Sequence, residues 1–121
     1  MITTDINTGI ATTGIEEAAK FYTDKLGFKI GHKIEAPEFK LYILENEYTK
    51  FDLIEGDAFK PGTATIRATV RNFTDSLTDV PEMGLKQFGE VVETDKMKIA
   101  TYNNQDGSIF ILAHHKRVNL D

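Results

Sequence analysis

Apolar residues recur along the chain at two spacings, every second residue and every third or fourth, and the same order of the two occurs twice. Residues 2–11 carry apolar markers at Ile2, Ile6 and Ile10 and read as a short strand. In "TTGIEEAAKFYTDKLGF", Ile15, Ala19, Tyr22 and Leu26 fall on one helical stripe, while Glu16, Lys20 and Asp24 lie elsewhere on the cylinder. Thr13 and Glu16 have the spacing of a capping box, and Gly27 stands where a left-handed C-cap closes a helix. "FKIGHKI" alternates with period two, which predicts Phe28, Ile30, His32 and Ile34 on one face of a strand. Pro37 turns the chain into "FKLYILE", and "ENEYT" turns it again into "KFDLIEG".

The segment "GDAFKPGTA" breaks the periodicity with two glycines and Pro61, and reads as a linker. The plan then starts again. "ATIRATVR" places Ala64, Ile66, Ala68 and Val70 on one face of a strand and Thr65, Arg67 and Thr69 on the other. Asn72 is placed to cap a shorter helix, "FTDSLTDV", which Pro81 and Gly84 end. "LKQFGEVVE", "MKIATYN" and "SIFILAHH" follow as three strands. Strand, helix and three strands, twice over, make an α+β chain with an internal duplication. One domain of residues 1–121 is expected, with module one at about 1–56, a linker at about 57–62 and module two at about 63–115.

Composition narrows the chemistry. A length of 121 residues with 40% apolar and 27% charged residues suits one globular domain. The net charge of -5 argues against sequence-independent nucleic-acid binding. The chain has no cysteine, so disulfides, thiolate metal sites and cysteine nucleophiles are excluded together. The N-terminus lacks the basic and apolar stretches of a signal peptide, and no run is long enough to span a membrane; the expected location is cytoplasmic. No serine sits in a nucleophile elbow, and no glycine loop is built to cradle phosphate.

The helix phrase "EEAAKFYTDKLGFKIG", the order of elements and the turn "NNQDG" before the last strand together resemble the vicinal oxygen chelate superfamily. That group contains glyoxalase I, bleomycin-resistance proteins, extradiol dioxygenases and fosfomycin-resistance enzymes. The aromatic pair Phe21–Tyr22 followed by Leu26-Gly27-Phe28 is similar to its first-module signature. The resemblance implies two tandem βαβββ modules whose curled mixed sheets surround a cup-shaped cavity. It also implies, in the enzyme members, a divalent metal held by His, Glu or Gln from the first and fourth strand of each module.

Carried over residue by residue, those ligand positions fall on Asn7, Asp52, Thr65 and Ile111. This set is an amide, a carboxylate, a hydroxyl and a hydrocarbon, whereas transition metals in such sites take imidazole or carboxylate donors. Arg67 shares the strand face of Thr65, and a guanidinium roughly 6–7 Å along the strand opposes a metal electrostatically. No metal or other cofactor is expected, and the resemblance is nearest to the metal-lacking, bleomycin-resistance-like members.

The expectation is therefore a protein that binds a small organic molecule, sequestering a toxic compound in its specific version. The cavity would be lined by Asn7, Asp52, Thr65, Arg67, Tyr102 and Ile111, with His32 as a further candidate. Phe39, Tyr42 and Phe110 are aromatic candidates for the same wall. The alternative is a lyase, isomerase or transferase with Asp52 as general base and Arg67 as oxyanion or carboxylate clamp. A third reading is a structural or regulatory dimer module. Family members commonly dimerise, which implies a homodimer. Adjacent strand residues point to opposite faces, so His114 and His115 cannot both ligate one centre, and they read as a solvated chain end.

Overall fold

The computed structural model describes residues 1–116 and shows strand, helix and three strands, twice. The first set is β1 (Thr3–Ala11), α1 (Ile15–Lys25), β2 (Lys29–Glu35), β3 (Lys40–Glu45) and β4 (Lys50–Glu55). The second is β5 (Ala64–Val70), α2 (Phe73–Asp79) with a 3-10 turn at Val80–Met83, then β6 (Lys86–Glu93), β7 (Met97–Asn103) and β8 (Ile109–His115). The α+β class and the tandem βαβββ plan are both present. Contacts divide the chain into two compact units, residues 7–66, and residues 1–6 with the described residues from Arg67 onward.

In the unit of residues 7–66 the strands run in the order β2-β3-β4-β1, the first three antiparallel and β1 parallel to β4. Helix α1 covers one face, burying Ile15 and Ala19 against Tyr42, Leu44 and Leu53. Full burial of such an aliphatic side chain contributes about 1.5–3 kcal/mol. Tyr22 joins this cluster through ring contacts with Phe28 and Phe51. The expected stripe falls short by one residue. Leu26 is half exposed because the helix ends there, with Gly27 at φ 74 and the Phe28 N–H bonded back to the Tyr22 carbonyl at 3.2 Å.

The start of α1 differs from the capping box expected at Thr13. Gly14 is the N-cap residue, in left-handed conformation, and no neighbouring side chain caps it. Glu55, at the end of β4, accepts instead from the Gly14 N–H at 2.5 Å and from the Ile15 N–H at 3.4 Å. A carboxylate here satisfies orphan N–H groups and faces the positive end of the helix dipole. Glu55→Ala should therefore cost about 1–2 kcal/mol in a urea melt, while Thr13→Ala should stay within about 0.5 kcal/mol of the parent.

A second difference lies in β2. The register shifts between Ile30, which pairs with Leu44, and His32, which pairs with Ile43. This bulge at Gly31 sends Ile30 to the helix-covered face and His32 to the opposite one, so the four residues expected on one face are split between two.

In the other unit the order is β5-β8-β7-β6, with β6, β7 and β8 antiparallel. Helix α2 starts as expected, with the Asn72 side chain accepting from the Asp75 N–H at 3.1 Å. Its face is a cluster of Val70, Phe73, Val80, Ala100, Tyr102 and Leu112. The beginning of β1 bonds to this unit through the Thr4 hydroxyl to the Thr69 carbonyl and the Arg71 N–H to the Ile2 carbonyl. Ile2 and Ile6, expected as buried markers of that strand, are 63% and 62% exposed. Only Ile10 of the three packs against the α1 cluster.

Candidate functional site

The face of the first sheet that α1 leaves uncovered carries a cross-strand row. His32 pairs with Ile43, Ile43 with Asp52, and Asp52 with Gly9. Asp52 is wholly buried, although its neighbours in sequence on β4 are apolar, because strand parity turns it away from Phe51 and Leu53. Neither Asp52 nor His32 is without a partner. Asn7 lies two residues before Gly9 on the same side of β1, half-buried and also partnered. Thr65 comes in from β5 with 1% exposure, and its hydroxyl has no hydrogen-bond partner among the described residues.

Gly9 makes this arrangement possible. A Cβ there would stand 2.6 Å from Thr65 Oγ1, 2.7 Å from Asp52 Cβ and 2.2 Å from the Asp52 carbonyl oxygen. Asp52 and Thr65 thus both pack directly on Gly9, and no side chain fits between them there. The structure places Asp52 and Thr65 against Gly9, with Asn7 two residues along β1, and Gly9 itself is the residue that sequence reasoning missed. The available signal was a glycine in a strand interior, where close approach of a neighbour is a standard cause.

The remaining expected residues lie in the other unit. Arg67 is 1% exposed and donates from Nη1 to the Thr69 hydroxyl at 3.2 Å, among other interactions. Ile111 is fully buried and pairs with Thr101, whose hydroxyl donates to the Phe88 carbonyl at 2.9 Å. Tyr102 must be corrected. It stands on the α2 side of β7, in the cluster with Val70 and Phe73, so it faces away from the side that carries Ile111. Phe110 packs against that same cluster. The Tyr102 hydroxyl is buried and without a partner among the described residues, and burial raises its pKa. His114 is not merely solvated, since Nδ1 lies 2.9 Å from the Val70 carbonyl oxygen.

Tyr42 also belongs to a helix-covered face rather than to the Asp52 side. Its hydroxyl donates to Glu16 of α1, and Lys33 Nζ sits 5.0 Å from the ring centroid. Burial first, and then the bond to Glu16, push the Tyr42 phenol up from 10.0 to about 12. The unfolded phenol ionises near 10.0 while the folded one keeps its proton, so this contribution is complete below pH 10 and is lost as pH rises through about 12. Stability should fall over that window, and less steeply in Tyr42→Phe, as followed by alkaline unfolding monitored through far-UV circular dichroism.

Open concavities lie elsewhere. One of about 540 Å³ is lined by Thr12, Lys40, Glu55, Phe59 and Lys60 among others, and one of its carboxylates, Glu55, is committed to α1. For a metal, the four positions named above offer one carboxylate between them. Among the described residues no three His, Asp or Glu side chains are grouped so as to hold an ion. This donor set does not fit a divalent transition metal.

The family model of the Glyoxalase/Bleomycin resistance protein/Dioxygenase superfamily matches residues 6–112. The chain belongs to this superfamily. Solved structures agree on the fold. A methylmalonyl-CoA epimerase from Mycobacterium tuberculosis is similar at a TM-score of 0.70 and 16% identity, over 96% of this chain and 91% of that one. A variant of the Streptomyces coelicolor epimerase in complex with 2-nitronate-propionyl-CoA reaches 0.65 at 15% identity, over 95% and 99%. A superfamily member from Vibrio splendidus 12B01 reaches 0.57 at 16% identity, over 91% and 97%. No curated protein sequence matches the chain.

Proposed function

We propose that this superfamily member binds a small organic molecule without a metal, through the sheet face that carries Asn7, Asp52 and Thr65. The observation that supports the reading is the donor set itself: one buried carboxylate, one amide, and the Thr65 hydroxyl, which is buried with no hydrogen-bond partner among the described residues. Such a face has the few placed polar groups on an apolar background that small-molecule sites require. Its apolar background here is Ile34, Leu41, Ile43 and Ile54, all buried.

Elemental analysis of protein purified without chelator, followed by a thermal-shift screen of small amines, alcohols and antibiotics, tests this. The expected result is no stoichiometric transition metal, and a compound whose affinity falls about tenfold or more in Asp52→Asn. Stoichiometric Mn, Fe, Ni or Zn that is lost in Asp52→Asn would overturn it.

A second reading is an isomerase with Asp52 as the base, favoured by the full burial of that carboxylate and by the epimerases among the structural neighbours. Deuterium incorporation from D2O into propionyl-CoA or methylmalonyl-CoA, abolished by Asp52→Asn, is the result that would replace the binding reading with this one.

A further inference from the structure

The chain contains one Asp-Gly pair, Asp106–Gly107, and no Asn-Gly pair. In such a pair the backbone nitrogen of the glycine can close on the aspartyl side chain, because no Cβ on the glycine obstructs it. The new bond joins Gly107 N to Asp106 Cγ in a five-membered ring. The carboxyl gives up its O–H and the amide its hydrogen, and the two leave together as water. Water then adds back to the ring imide. Attack at the side-chain carbonyl restores aspartate, whereas attack at the main-chain carbonyl leaves isoaspartate. In that second product the chain runs through Cβ and Cγ and is one atom longer.

We infer that Asp106 is the site at which the folded chain turns to isoaspartate, and that Ser108 restrains the conversion. Asp106 and Gly107 are exposed in the turn between β7 and β8, open to the water that the second step consumes. Ring closure requires a protonated carboxyl that is free to swing onto Gly107 N. The turn opposes both conditions. Asp106 Oδ1 accepts from the Ser108 hydroxyl at 2.6 Å and from the Ser108 N–H at 2.9 Å, which ties the carboxyl to Ser108. The same two bonds, the hydroxyl's first, hold the carboxyl below the usual carboxylate range. An ionised carboxyl has no O–H to give up. The Gly107 N–H, for its part, donates to the Asn104 carbonyl at 3.0 Å. The longer product does not fit this turn, whose ends are joined by the Asn104 N–H to the Ser108 carbonyl at 2.9 Å and by the Asn103–Ile109 pair. Conversion therefore loosens the base of the strand that carries Ile111.

The test incubates the full chain at neutral pH, folded and in urea, and follows the tryptic peptide that begins at Ile99. Isoaspartate in it is counted by methyl transfer from S-adenosylmethionine with an isoaspartyl methyltransferase, and located by fragmentation mass spectrometry. The folded parent should convert about tenfold more slowly than the parent in urea. Folded Ser108→Ala loses the hydroxyl bond and should convert about tenfold faster than the folded parent. Ser108→Thr keeps both bonds and should convert at the parent's rate. In urea, where no turn is held, all three should convert alike. A folded Ser108→Ala protein that converts no faster than the parent would overturn the role of Ser108. Isoaspartate arising first at another residue, or a folded parent that converts as fast as in urea, would overturn the site and its restraint. That last comparison needs no variant, so it stands even where Ser108→Ala fails to fold.

Discussion

Replacing Gly9 by alanine is expected to lower stability by about 3 kcal/mol, the upper end of ordinary overpacking, and to disturb the Asp52 face more than any other single methyl group would. A free position in a strand normally accepts alanine with a small gain, since glycine weakens strands through its extra backbone freedom. Here the new Cβ would stand 2.2 Å from the Asp52 carbonyl oxygen and 2.6 Å from Thr65 Oγ1. The first of these atoms is backbone, in the strand that pairs in parallel register with Gly9, and cannot rotate away. Relief would require β1 and β4 to separate, with loss of the ladder around Gly9, Ile10 and Ala11. Chemical denaturation of Gly9→Ala beside Gly27→Ala separates this packing cost from a conformational one. Gly27 has φ 74 and nothing within 4 Å of its Cβ, so its cost is backbone strain alone, about 1–2 kcal/mol. A Gly9→Ala protein as stable as the parent would mean that the strands are not held as closely as described.

The particular residues show which parts of this structure were legible in sequence. Local signals held: the helix of Ile15 and Ala19, its close at Gly27, the Asn72 cap and the alternation of β5 all depend on neighbours within a few residues. The features that were missed depend on distant residues. Glu55 caps a helix 40 residues earlier, so nothing around Gly14 announces it. One extra residue at Gly31 reverses the facing of His32 relative to Ile30, and a period-two pattern cannot show a bulge whose two sides both remain plausible. Ile111 comes from the family's ligand positions and Tyr102 from its aromatic ring, with nothing to fix strand parity between them; the β7–β8 register pairs Ile111 with Thr101, the neighbour of Tyr102, and so separates them. Asp52 and Thr65 were found through the family's ligand positions, and Gly9 between them was not, because a glycine contributes no group that such a comparison would seek.

Arg67→Ala is expected to be the most damaging substitution on β5, costing about 3–5 kcal/mol, while Ile66→Ala beside it costs about 1 kcal/mol or less. Hydropathy alone would predict the reverse. In the first half of this strand, though, it is the polar residues that are buried: Thr65 and Arg67 are each 1% exposed, whereas Ile66 is 42% exposed. A guanidinium so enclosed is tolerated only because its donors are engaged, one of them by the Thr69 hydroxyl at 3.2 Å. Truncation leaves a cavity the size of a long side chain and strands whatever those donors served, two costs that add. The choice of replacement separates them. Arg67→Met fills most of the volume without charge, so its shortfall from the parent in a urea melt reports the polar part. The further drop to Arg67→Ala reports the cavity. Arg67→Lys keeps the charge but not the planar five-donor fork, and should fall with Met rather than with the parent. If lysine restored full stability, the residue would be acting as a point charge, and the geometry of its donors would not be what holds it in the sheet.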